Sequence, residues 1–157
     1  MSLSCFTNSY GRFGVEAALE HLPRIGIKFI ELPIRTHGVP SFFRDVPVLT
    51  DASPLPEADD LRQRITAAGL ALSSCNISSG NPYEPDVLDR TLRKLALTER
   101  LGVTLVVAGG GEVPPNGDSI RWRDHLRRVG DAAAGRGIGY CCETHPGACQ
   151  NADRMLA

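Results

Sequence analysis

Glu143 and His145 stand two residues apart in "GIGYCCETHPG", residues 137–147, behind an apolar run and ahead of a proline–glycine stop. A carboxylate there must be paired, solvated at a rim or bound to something, because a bare charge beside a buried strand is costly. Other polar or glycine-rich positions follow apolar runs in the same way: Asn8, Glu31, Asn76 and the stretch from Gly109 to Glu112. Each also has a structural reading. Asn8 and Asn76 can serve as turn residues, and Glu31 can pair with Arg35 at a rim. "AGGGEVPP" has the glycines of a phosphate loop but runs into prolines where a helix should start. Cys142, His145 and Cys149 could begin a zinc site, yet the fourth ligand and paired spacing of such sites are missing. His21 and His125 read as surface residues.

Elements that would position these groups recur along the chain. Four times a helical pattern meets a glycine and then a β-rich run, with the glycines at 26, 69, 102 and 137. Glycine past a helix takes the left-handed conformation that closes the last turn, so each junction reads as helix end and strand start. With "LSCFTN" as the first, the strands are expected over 3–8, 27–32, 70–76, 103–108 and 138–143. They are almost continuously apolar, as in a parallel sheet buried on both faces. The helix after "NPYEP" is marked by Val87, Leu88, Leu92, Leu95 and Leu101, with acids early and Lys94 and Arg100 toward its end. Asp59 or Asp60 is expected to cap the helix before Gly69.

The proline-rich segment 33–58 has no helical period and reads as an insertion over the ligand side, with Phe42 and Phe43 placed to cover a substrate. "PGACQNADRMLA" reads as the opening of a fifth helix. In parallel α/β folds, ligands bind beyond the carboxyl ends of the strands. Asn8, Glu31, Asn76, Gly109, Glu143 and His145 are therefore expected to line one mouth.

The chain has 157 residues, 42% hydrophobic and 22% charged, with a formal net charge of −1. That composition suits one globular domain and leaves no electrostatic footprint for nucleic acid or a membrane surface. No apolar run reaches the roughly 20 residues of a membrane span, and the five cysteines sit mostly in strand-like runs. A cytoplasmic address and reduced thiols are expected.

The stretches "GIKFIEL", "AAGLALSSCN", "LGVTLVVAGGG" and above all "CCETHPGACQNADRML" resemble the N-terminal part of a xylose isomerase-like TIM barrel, the superfamily of sugar phosphate isomerases/epimerases and endonuclease IV-type enzymes. The resemblance implies an α/β fold, a (β/α)8 barrel of which residues 1–157 supply about the first five strands of a single domain. It implies that Glu143 is both a divalent-metal ligand (Mn, Mg or Co) and a catalytic carboxylate, and that His145 either supports that ligand from behind or contacts the substrate. Asn8, Glu31, Asn76 and Gly109 are the other substrate-binding candidates. The nuclease branch carries histidines at the ends of its third and fourth strands; Asn76 and Ala108–Gly109 stand here instead, which argues for single-metal chemistry on a sugar or sugar phosphate. The remaining ligands of the family come from strands six to eight, so this chain is expected to be inactive alone. Its open sheet would favour self-association into a homo-oligomer, aggregation or completion by missing sequence. The alternatives are a non-catalytic truncated barrel or binding module, and a flavodoxin-like domain.

Overall fold

The computed structural model describes residues 2–114, 118–144, 147, 149–151 and 153. Gly26, Gly69, Gly102 and Gly137 hold φ angles of 82°, 76°, 75° and 68°. Each closes a helical segment in a conformation that side chains avoid, and the next strand starts within a few residues. The elements in chain order are β1 (Ser4–Phe6), α1 (Gly14–His21), β2 (Phe29–Pro33), α2 (Leu55–Ala67), β3 (Ala71–Asn76), α3 (Val87–Leu101), β4 (Leu105–Gly109), α4 (Ser119–Ala134) and β5 (Gly139–Glu143).

Every adjacent pair of strands is parallel, and the spatial order is β1-β2-β3-β4-β5. Strands that lie side by side in chain order, separated by helices, form the wall of a (β/α) barrel, here from β1 to β5. This order overturns the flavodoxin-like alternative, in which the first two strands exchange places. The helices line up beside one another through ion pairs between successive members. Glu16 on α1 pairs with Arg64 on α2, Asp59 on α2 with Arg100 on α3, and Glu99 on α3 with Arg136 just past α4.

Ile30, Leu32, Cys75, Val106 and Ala108 from the sheet pack with Val15, Ala18, Leu61, Ile65, Leu95, Val129 and Ala133 from the helices. The other face of the sheet is more open: Cys141 and Glu143 on it are exposed, whereas Tyr140 and Cys142, which alternate with them, are half-buried. The expectation of strands buried on both faces is therefore corrected. Among the described residues the helical side is the better covered, and β5 alternates between exposed and half-buried positions. Cys141 is exposed.

Two boundaries also shift. β1 is shorter than 3–8 because Thr7–Phe13 coils into 3-10 turns, which places Asn8 in a turn. α2 begins at Leu55, before Asp59, with Pro56 in its first turn, where a missing N–H costs nothing. Asp59 is thus an ion-pair partner and not a cap. The greater part of the expected fifth helix lies outside the described residues. No helix among the described residues is long and apolar enough to cross a membrane.

Candidate functional site

Each strand hands its chain to a short polar stretch at the same end of the sheet. After β1, Asn8 is buried, and its Oδ1 accepts from Arg35 Nη2 at 2.6 Å. After β2 the backbone continues the ladder, with the Ile34 N–H donating to the Asn76 carbonyl at 2.9 Å. Arg35 then bridges to Thr50, so the segment between β2 and α2 returns to its own start. Leu49 and Ile34, both buried, anchor the two ends. After β3 the Asn76 side chain accepts from the Ser78 N–H at 3.2 Å, the turn role expected of asparagine. Ser78 Oγ in turn accepts from the Gly109 N–H at 3.3 Å, which ties the end of β3 to the end of β4.

These ends enclose a cavity of about 550 Å³ whose lining includes Asn8, Arg35, Phe43, Asn76, Gly109 and Glu143. That is within the usual range for a small-molecule site of about 300–1,000 Å³. Asn8, Asn76, Gly109 and Glu143 thus share one wall, as their positions in the sequence require. Glu31 does not reach the lining. It lies one step below, in register with Phe6 and Ser74, and its carboxylate accepts from Ser74 Oγ at 2.6 Å. The suggested Glu31–Arg35 pair does not form. His145 lies outside the described residues.

Sequence reasoning singled out neither Arg35 nor Ser78 as a site residue, and it left Glu112 unassigned. Glu112 brings a second carboxylate to the same cavity. Its signal was present, since it ends the glycine-rich stretch that follows β4. Gly111 explains the course of that stretch. It holds φ of 72°, and a Cβ there would collide with Pro82 Cδ. Only glycine lets the β4 loop pass this close to the β3 loop.

The lid expectation divides between its two aromatics. Phe43 lines the cavity, under the Arg35 guanidinium at 5.5 Å from the ring centroid. Phe42 is 92% exposed and meets Phe43 edge-on at 5.5 Å. The loop is fastened from inside: Arg35 Nη2 donates to both Asp45 oxygens at 3.0 and 3.1 Å, and Ser41 Oγ also donates to Asp45. Burial pushes the Asp45 carboxyl up, but the bonds from Ser41 and Arg35 and the arginine's charge outweigh it and hold it below the usual carboxylate value.

Among the described residues no three His, Cys, Asp or Glu side chains are placed to share a metal ion. Zinc through Cys142 and Cys149 finds no support there. Burial and Cys149 push the Cys142 thiol up to about 11. Glu143 is an oxygen donor suited to Mg²⁺ or Mn²⁺, but a hard cation wants about six oxygens. The described residues do not fit a complete metal site.

A parallel sheet in chain order with helices packed on one face defines the wall of a (β/α) barrel, with a polar cavity beyond its strand ends. The chain belongs to the xylose isomerase-like TIM barrel family, whose model matches residues 19–156. No curated protein sequence matches it. Among solved structures it is similar to a xylose isomerase-like TIM barrel protein from Mycobacterium smegmatis in complex with magnesium, with 16% identity, a TM-score of 0.74, and 99% of this chain and 59% of that one covered. It is similar to an L-ribulose 3-epimerase, with 19% identity, a TM-score of 0.67 and coverage of 99% and 55%. It is also similar to the probable 3-DHS dehydratase AsbF involved in petrobactin synthesis from Bacillus anthracis, with 11% identity, a TM-score of 0.68 and coverage of 99% and 57%. At such identities the likeness carries the fold alone. The chain spans a little over half the length of these three structures.

Proposed function

We propose that residues 1–157 form the N-terminal part of a single barrel domain and supply one side of the site of a sugar or sugar phosphate isomerase/epimerase. The observation that carries this reading is the convergence of Asn8, Asn76, Gly109 and Glu143 on one cavity at the carboxyl ends of the strands. Two amide side chains suit sugar hydroxyls, which donate and accept. Gly109 leaves backbone room, and Phe43 keeps water from one side.

Glu143, at the open end of β5, is the base. It takes the proton from the carbon beside the substrate carbonyl, and the electron pair left behind forms the enediolate. Return of a proton to the neighbouring carbon completes an isomerisation; return to the opposite face of the same carbon completes an epimerisation. Glu112 also reaches this cavity, but the partner carboxylate that returns the proton, and the other ligands of a divalent metal, are assigned to later strands of the barrel. An L-ribulose 3-epimerase among the similar structures supports the reaction class. The partner is a small sugar, and the isolated chain is inactive.

The test is a titration of the 157-residue chain with Mn²⁺ by calorimetry and with a ketose by amide chemical-shift mapping, with Glu143→Gln as control. Expected are weak Mn²⁺ binding, no turnover, and ketose-dependent shifts centred on Asn8, Asn76, Gly109 and Glu143. Ketose shifts confined to other surfaces refute the site. Micromolar Mn²⁺ binding that Glu143→Gln abolishes, together with turnover, refutes the incomplete-site reading.

A further inference from the structure

Lys94 is the largest fully buried side chain among the described residues, with 0% exposure. It sits on the inward side of α3 between Thr91 and Thr98, whose hydroxyls are satisfied within the helix by the carbonyls of Val87 and Lys94. The Lys94 ammonium turns away from the helix. Nζ donates to the Ser78 carbonyl at 2.7 Å and to Thr36 Oγ1 at 3.0 Å. None of the ion pairs found among the described residues includes it. A buried cation held only by neutral oxygens is costly, and an apolar residue of similar length would fill the space more cheaply.

Its two acceptors belong to the two loops that shape the cavity. Ser78 receives Lys94 on its carbonyl, gives its N–H to Asn76 and accepts the Gly109 N–H on its hydroxyl. Thr36 follows Arg35, the residue that holds Asn8 and Asp45, and its carbonyl accepts the Val39 N–H at 3.2 Å. One amine behind the wall therefore joins the β2–α2 segment to the β3–α3 loop, which Ser78 ties to the end of β4.

We propose that Lys94 is a positioning residue, a buried clamp that holds the β3–α3 loop and the start of the β2–α2 segment in the arrangement that sets Asn76, Gly109 and Asn8 around the cavity. That this arrangement serves a substrate rests on the reading above; the clamp itself does not. Charge strengthens both bonds. Burial pushes the Lys94 amine down to about 8, which leaves it mostly protonated at neutral pH. The charged side chains acting on it are Asp51 ahead of α2, which favours the cation, and Arg90 on α3 and Arg35 after β2, which oppose it.

The test is amide hydrogen exchange on the 157-residue chain and its Lys94→Met variant. The variant is expected to keep the wild-type denaturation midpoint or exceed it, while protection at the Ser78, Gly109 and Val39 amides falls at least tenfold and that of Leu32 and Val106 in the sheet is unchanged. Unchanged loop protection overturns the proposal. So does a uniform loss at all five amides, which would mark a purely structural lysine. If Lys94→Met does not fold, Thr36→Val decides: it severs one arm, and protection must fall at Val39 and persist at Gly109. Any other pattern overturns the clamp. None of these readouts involves a sugar, so failure of the ketose titration leaves this test intact.

Discussion

The Arg35–Asp45 pair is expected to be worth far more than an ordinary surface ion pair, and a double-mutant cycle measures the difference. Side-chain exposure is 19% for Arg35 and 7% for Asp45, so the value of under about 1 kcal/mol for exposed pairs does not apply. Hydrogen bonds to charged groups contribute about 1.5–3 kcal/mol each. Arg35 uses one nitrogen for both carboxylate oxygens, which is less than two independent bonds, and the expected coupling is about 2 kcal/mol. The variants are Arg35→Met, Asp45→Asn and the double mutant, unfolded by urea at pH 7. Each single variant loses more than the coupling alone, because Arg35→Met strands a buried carboxylate and also frees Asn8. The pH dependence follows from the lowered Asp45 carboxyl. A depressed folded value means that the pair's stabilisation is fully present above the ordinary carboxylate value. It is lost as pH falls through the folded one. Additivity of the two single variants within about 0.5 kcal/mol at pH 7 would refute the reasoning, as would a coupling that persists after Asp45 is protonated.

Lys94 gives a linkage prediction of the same sign in a higher pH window. Its folded value of about 8 lies below the ordinary 10.5, so between these the unfolded chain binds more protons, and stability relative to Lys94→Met should rise with pH across that window. Urea midpoints of the two proteins from pH 7 to 11 check this; a constant difference refutes it. The cysteines should separate by burial. Iodoacetamide at pH 8 is expected to modify exposed Cys141 well before Cys75, whose thiol burial pushes up to about 12. Equal rates by mass spectrometry would contradict the packing of β3 against α3.

Helices and strands were legible along the chain because their signals are local. A glycine that must take positive φ, an apolar stripe every three to four residues and a run of β-branched and apolar residues each act within one or two turns of chain. The same pattern put Asn8, Asn76, Gly109 and Glu143 at strand ends, and parallel packing then required a shared wall. Pairings across long stretches of sequence were not legible. Arg35 had Glu31 as an acidic neighbour in sequence, yet it chose Asp45 because the bridge to Thr50 folds the segment back, while Ser74 on the next strand took the glutamate. Lys94 read as a charge near a helix end. Packing turned it inward, because the Ser78 carbonyl and the Thr36 hydroxyl converge there from two other elements. Such partners depend on strand order and loop closure, which no local spacing encodes, and a buried polar group is stable only where those distant partners meet it.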